Sequence, residues 1–137
     1  MSVSFDPEHG LVVVRAEVTG PAGIAVLRLA LDTGATRTLN NSSLLVAVGY
    51  DTAAAHERTE VTTGSGVEFA AKVPVNKIIA LAQEREDFPV LAHTLPPSAG
   101  VDGVLGLDFL RGLILTIDFR NGRLMVAKPA DAPEPPV

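Results

Sequence analysis

A single acidic residue follows an apolar run in the segment LALDTGATRTLN, residues 29–40. Asp32 comes directly after Leu31 and is followed by Thr33 and Gly34. Removing a carboxylate from water is costly, so such a side chain is either compensated by hydrogen bonds or kept for chemistry. An Asp-Thr-Gly triplet can also form an ordinary turn, because Asp caps its own backbone and Gly accepts positive φ. The triplet alone leaves both interpretations open.

Other kinds of catalytic site find little support in the sequence. The chain has no cysteine, which excludes thiolate nucleophiles, disulfides and the usual zinc-cysteine sites. Its three histidines, His9, His56 and His93, are scattered and do not form a His-Glu-x-x-His motif. The segment TTGSGVE lacks the Gly-x-Ser-x-Gly spacing of a serine nucleophile elbow, and there is no Gly-Lys-Ser/Thr phosphate loop. We therefore expect neither a metal nor a cofactor.

Composition limits the class of protein. A chain of 137 residues fits one domain, and 47% hydrophobic residues with only 4% aromatics predict a sheet-rich core of Val, Leu, Ile and Ala. The net charge of −5 argues against a nucleic-acid partner, because binding phosphates needs a basic surface. The sequence predicts no membrane segment and no signal peptide at the start, so we expect a cytoplasmic protein.

The first half of the chain has the pattern of two hairpins and a short helix. Residues 11–18 and 24–31 are rich in branched apolar side chains and flank TGPAG, which predicts a hairpin that ends at Asp32. NNSSLLVAVGY predicts a short capped helix that ends at Gly49. Residues 56–75 predict a second hairpin around TGSG.

The second half predicts further strands and a second helix. The period of residues 75–83 fits a strand or a helix, and their Val and Ile residues favour a strand. Residues 88–95 are a predicted strand, and residues 101–112 are predicted to form a helix opened by Asp102 and closed by Gly112. LILTIDF and RLMVA flank an Asn-Gly pair, a strong hairpin signal. Residues 1–128 thus form the predicted domain, and the Pro-rich residues 129–137 a disordered tail.

In this order, the segments resemble the retropepsin-like aspartic proteases. The matching segments are LRLALDTGAT, VTTGSGVEF, DGVLGLDFL and LTIDFRNGRLMV, which together run from about residue 10 to residue 127. The similarity is closest to single-domain bacterial members and to the protease domain of the eukaryotic DNA-damage-inducible ubiquitin-shuttle proteins. It implies an all-β fold, a closed antiparallel β-barrel equivalent to one lobe of an acid protease, with one or two short helices.

The resemblance also implies a role for each matching residue. Asp32 would be catalytic, within an active loop that also contains Thr33, Gly34, Ala35 and Thr36. The turn formed by Thr63, Gly64, Ser65 and Gly66 would be the tip of a flap over the substrate. Val104, Leu105 and Gly106 would form the structural motif before the helix, and Asp102 and Asp108 would make structural hydrogen bonds. We expect Asp118 to be a solvent-facing strand residue.

The implied chemistry is peptide hydrolysis by two carboxylates. An ionised carboxylate acts as the base for an attacking water, and a protonated one donates to the substrate carbonyl. Because the chain supplies one Asp-Thr-Gly triplet, it would act as a homodimer on extended polypeptide. Thr33 would hydrogen-bond the partner loop, and Ala35, which offers no hydroxyl to the carboxylate, would move the working pH range toward neutral.

Two alternatives remain open from the sequence. The chain could be a non-catalytic member of the same fold that binds peptides or serves assembly, since it carries only half a site. It could also be a domain excised from a larger chain that needs flanking segments to dimerise. The intact Asp-Thr-Gly-Ala-Thr sequence at residues 32–36 favours the enzyme.

Overall fold

The computed structural model describes residues 1–54, 57–63 and 66–127, and the predicted tail at 129–137 lies outside them. Within these residues, the chain forms ten strands, two short helices and two 3-10 turns, the latter at Thr52–Ala54 and Pro97–Ala99. In chain order, these elements are β1 (Ser2–Ser4), β2 (Val13–Gly20), β3 (Gly23–Leu31), β4 (Leu39–Asn41), α1 (Ser42–Ala47), β5 (Glu57–Thr63), β6 (Gly66–Ala80), β7 (Gln83–His93), β8 (Gly103–Leu105), α2 (Leu107–Leu110), β9 (Ile114–Asp118) and β10 (Arg123–Ala127).

Six strands close into a barrel, which confirms the predicted fold. Their order is β2, β3, β8, β4, β7 and β6, and β6 pairs again with β2 to close the ring. All neighbours are antiparallel except two parallel pairs, β3 with β8 and β4 with β7. Closure removes the free edges that an open sheet would expose.

The barrel core comes from the alternation of strand residues. In the predicted β2–β3 hairpin, Val14, Ala16 and Val18 point inward from β2, and Leu27 and Leu29 point inward from β3. These side chains pack in one cluster with residues from β6, β7 and both helices. The strand limits differ from the predicted ones by about two residues, because pairing rather than apolar character determines where a strand ends.

The turn between β6 and β7 lacks the usual turn residues. Leu81 and Ala82 both have positive φ, 52° and 57°, where Asn and Gly are favoured. Leu81 is only 2% exposed and belongs to the core cluster, so burial of its side chain offsets the backbone strain. The predicted strand at 75–83 is therefore the end of β6, a turn and the start of β7.

The predicted helix over residues 101–112 is wrong in its first half. Residues Gly103–Leu105 form β8, and the helix covers only Leu107–Leu110. Asp102 does not cap this helix, since its carboxylate accepts a hydrogen bond from the Arg28 amide at 2.8 Å. The apolar run became a strand because it fits between β3 and β4, which are far away in sequence.

The short helix after β4 agrees with the sequence. Helix α1 begins after Asn41, whose side chain accepts from the Ser43 amide at 3.4 Å. Gly49, with φ of 102°, lies just beyond its end.

A second, three-stranded sheet has the order β1, β10, β9. The predicted β9–β10 hairpin is present, and β1, which the sequence did not predict, adds to it. Leu124 and Val126 of β10 pack in the same core cluster as the barrel residues. No helix in the described part of the chain has both the length and the apolar character needed to cross a membrane.

Asp118 is the last residue of β9 and lies at the surface, as expected, and its side chain also caps the turn to β10. Its carboxylate accepts from the Arg120 and Asn121 amides at 3.0 Å and from Asn121 Nδ2 at 2.8 Å. The Asn121 side chain, followed by the Asn121 and Arg120 amides and the Arg123 charge, holds the pKa of Asp118 below its ordinary value.

Candidate active site

Asp32 lies where two parallel strands end side by side. Leu31, the last residue of β3, is in register with Leu105, the last residue of β8. The Asp32 amide donates to the Leu105 carbonyl at 3.0 Å and so extends this pairing by one residue. The position of Asp32 is therefore set by the barrel and not by a free loop.

One carboxylate oxygen of Asp32 caps the turn that follows it, and the other takes no part in this turn. Oδ1 accepts a hydrogen bond from the Gly34 amide at 2.8 Å, as the turn interpretation predicts. A Cβ on residue 34 would lie 3.1 Å from Oδ1, so glycine permits this approach. Oδ2 has no hydrogen-bond partner among the described residues, and the residue is half-buried.

The segment from Gly106 to Asp108 holds the loop that follows Asp32. The Leu107 amide donates to the Ala35 carbonyl at 2.8 Å, and the Asp108 amide donates to the Thr36 carbonyl at 3.2 Å. A Cβ on Gly106 would lie 2.6 Å from the Arg37 carbonyl, so only glycine allows the two segments to approach this closely.

A buried hydroxyl completes this contact. The Thr38 side chain is fully buried; its Oγ1 donates to Asp108 Oδ1 at 2.8 Å and accepts from the Gly106 amide at 3.1 Å. The Thr38 amide donates to the same carboxylate oxygen at 2.9 Å. Asp108 thus has the structural role expected of it, and Thr38 is the partner that sequence reasoning missed. Its six-residue distance from Asp32 offers no pattern that marks it.

A cavity of about 430 Å³ opens beside Asp32. The barrel and the Asp32 loop form one side of it, and strand β5 forms the other. The lining residues are Asp32, Gly34, Ala35, Thr36, Arg37, Leu39, Glu60, Val61, Thr62, Leu91 and Val104. The predicted loop residues therefore meet the predicted hairpin, in which Val61 begins the segment expected to form the flap; Arg37, Leu39, Glu60 and Leu91 were not predicted for this site.

The remaining predicted site residues lie around this cavity. Thr33 is exposed, and its side chain has no hydrogen-bond partner among the described residues. Val104 lines the cavity, while Leu105 is fully buried beneath it. Thr63 ends β5 and Gly66 begins β6; Gly64 and Ser65 lie outside the described residues.

Charged groups face the cavity from both sides. Arg37 belongs to the loop and Glu60 to β5, and within the described ranges neither residue is within 4 Å of an opposite charge. The described part of the chain has no group of three His, Asp or Glu residues that could hold a metal ion. The site therefore offers a carboxylate, an apolar wall and two charges that a bound molecule can reach.

Comparison with known proteins identifies the family. The family model described as "Aspartyl protease" matches residues 14–109, so the chain belongs to this family of aspartyl proteases. The crystal structure of a retropepsin-like aspartic protease from Rickettsia conorii matches 93% of this chain and 97% of its own, with a TM-score of 0.67 and 17% identity. At this identity the similarity shows the retropepsin-like fold. No curated protein matches the chain significantly.

Proposed function

We propose that the protein is an aspartic endopeptidase that cleaves extended polypeptide as a homodimer, with one Asp32 carboxylate from each subunit. The observation that carries the proposal is the free Oδ2 of Asp32, which lies at the edge of a cavity between a rigid loop and a hairpin. Membership of the aspartyl protease family supports it.

The chemistry requires two carboxylates that differ by one proton. The ionised one takes a proton from water as the water oxygen attacks the peptide carbon, and the protonated one gives its proton to the carbonyl oxygen. The resulting tetrahedral diol collapses when its C–N bond breaks. The nitrogen leaves with a proton from the first carboxyl group, and a diol proton returns to the second, so the pair is regenerated.

The dimer supplies the second carboxylate. Asp32 is the acidic residue of the loop that faces the cavity, so a single subunit offers one carboxylate on a rigid element. A two-fold axis beside Asp32 would bring two identical loops together. Thr33 is exposed, and its side chain has no hydrogen-bond partner among the described residues, so it would be available to bond the second loop.

The cavity favours a peptide in extended form. Leu39, Leu91 and Val104 give it an apolar barrel side, and Val61 gives an apolar group on the hairpin. A strand-like peptide between them can pair its backbone with neighbouring backbone groups while its side chains occupy the apolar pocket.

The decisive experiment compares two neutralised carboxylates that line the same cavity. Asp32→Asn is nearly isosteric, so cleavage of a quenched fluorescent peptide should be abolished while circular dichroism and particle mass stay as in the wild type. Glu60→Gln is the matched control: it should still cleave the peptide, with any change confined to KM, because Glu60 lines the cavity and takes no part in the proton transfers. Cleavage by Asp32→Asn, or peptide binding without any cleavage by the wild type, would reject the proposal; the second result would indicate a non-catalytic peptide-binding module.

A further inference from the structure

The hairpin of β5 and β6 extends beyond the barrel. Strand β6 pairs with β7 from Ala71 onward, whereas its described residues 66–70 pair with β5. Most of this hairpin is thus held by its own two strands. A side-chain contact between this hairpin and the barrel therefore has a large effect on the position of the hairpin.

One ion pair makes this connection. Glu68 Oε2 on β6 lies 2.5 Å from Nε2 of His93, the last residue of β7. Ala92 is in register with Ala71, so one further step places His93 beside Ala70, on the same face of the sheet as Glu68. Within the described residues, the other ion pairs join positions inside the hairpin, inside the barrel or along β2.

The pair lies on the wall of a second, polar cavity of about 490 Å³. Its histidine side chain is 21% exposed and its glutamate 49%. Arg58 of β5 lines the same cavity, and its guanidinium donates to the Ala53 carbonyl at 3.4 Å. Helix α1 contributes Ser42, and the 3-10 turn at 52–54 contributes Thr52 and Ala53.

Glu68 is coupled to the Asp32 cavity through the hairpin itself. Its register partner on β5 is Val61, which lines the cavity beside Asp32. Holding Glu68 against the end of β7 therefore holds Val61 over the site. We propose that Glu68 and His93 form a tether that sets the position of the β5–β6 hairpin above Asp32; its effect on catalysis rests on the proposed function.

The tether is strongest when the imidazole is charged, because a charge-assisted hydrogen bond is stronger than a neutral one. Glutamine in place of Glu68 removes the negative charge of the pair and should therefore loosen the hairpin. Lysine in place of His93 supplies a positive charge that can still reach the carboxylate.

Hydrogen exchange tests the tether without any need for activity. In Glu68→Gln, amides of residues 57–63 and 66–70 should exchange about two- to five-fold faster than in the wild type, the range expected for a partly exposed ion pair. Glu84→Gln is the matched control, since it removes the Lys77 ion pair between β6 and β7 inside the barrel and should leave hairpin exchange unchanged. His93→Lys should keep the slow exchange, because a lysine ammonium group can still pair with the Glu68 carboxylate.

Kinetics then separate the two proposals. For the active enzyme, Glu68→Gln should raise KM about two- to five-fold with kcat within two-fold of the wild type, and His93→Lys should retain the wild-type KM. Equal hairpin exchange in the wild type and Glu68→Gln would overturn the tether whatever the activity. Faster exchange in Glu68→Gln in a protein that cleaves nothing would support the tether and reject the peptidase.

Discussion

The buried hydroxyl of Thr38 and the carboxylate of Asp108 join the Asp32 loop to helix α2 by a 2.8 Å hydrogen bond. The same carboxylate oxygen accepts a hydrogen bond from the Thr38 amide, so one acidic side chain satisfies both hydrogen-bond donors of a buried residue. This relationship connects stability to the geometry of the site.

Thr38→Val should lower the free energy of unfolding by about 1–3 kcal/mol, because it leaves the Gly106 amide without its buried acceptor and leaves Asp108 Oδ1 with the backbone amide of residue 38 alone. Urea unfolding measures the loss. Thr116→Val, the same change at an exposed position on β9, is the control and should have little effect. A Thr38→Val protein as stable as the wild type would contradict this account of the contact.

Activity should depend on dimer concentration. On dilution below the dimer dissociation constant, specific activity should fall, and Thr33→Ala should move this fall to higher concentration, since two symmetric hydrogen bonds of about 0.5–1.5 kcal/mol each are lost. Light scattering and peptide cleavage across a dilution series measure both effects.

Mixing subunits provides an independent check on the shared site. An excess of Asp32→Asn subunits should inhibit the wild type, because each mixed dimer carries one Asp32. Constant specific activity in a verified monomer would show that the site does not need a second subunit.

The Asp118 turn should make part of the stability depend on pH. Because the folded-state pKa of Asp118 is lowered, its contribution is present above the ordinary aspartate range and is lost as pH falls through the folded value. Asn121→Ala removes the largest cause of the lowering, so the stability difference from the wild type should be present at pH 7 and shrink in acid. Asn76→Ala is a suitable control, because the bond of Asn76 to Tyr50 uses the backbone amide. A difference between wild type and Asn121→Ala that grows in acid would contradict the assignment.

Asn40 is a buried residue whose replacement should stabilise the fold. Its side chain is fully buried, and neither amide atom has a hydrogen-bond partner among the described residues. Asn40→Leu, which keeps the branched shape and the number of heavy atoms of the side chain, should raise the free energy of unfolding by about 1–3 kcal/mol. The neighbouring Asn41→Leu should instead lower it by about 1 kcal/mol, because Asn41 caps α1. Urea unfolding of the two variants gives the comparison, and destabilisation by Asn40→Leu would show that the amide is satisfied.

The sequence predicted local elements better than distant pairings. The β2–β3 and β9–β10 hairpins were recognisable from apolar alternation around Gly-rich turns, since each strand pairs with its neighbour in sequence. Strand β4 was not recognisable from the sequence, because Asn40 and Asn41 give it a polar character and its partners, β7 and β8, come much later in the chain. The turn at Leu81 was not recognisable either, because this residue packs in the core and is not one of the residue types that usually form turns.

In the candidate site too, local motifs were predicted from the sequence and contacts between distant residues were not. Asp32 and its loop were found from the order of short motifs, and Gly106 was found with them. The close approach of Gly106 to Arg37, the Thr38–Asp108 bond and the Glu68–His93 pair join residues that are between 25 and 70 positions apart. No local pattern encodes such contacts, so they became visible only when the barrel brought the segments together.

The place of β8 between β3 and β4 also determines the order in which the site can form during folding. The loop that carries Asp32 spans from β3 to β4, and the strand between them comes from Gly103–Leu105, much later in the chain. A nascent chain that ends before Gly103 therefore lacks both the Leu105 carbonyl that accepts the Asp32 amide and the residues that brace the loop. Contacts between such distant residues form slowly, because a long loop must close first. During synthesis, the Asp32 carboxylate is thus positioned only after most of the protein has been made.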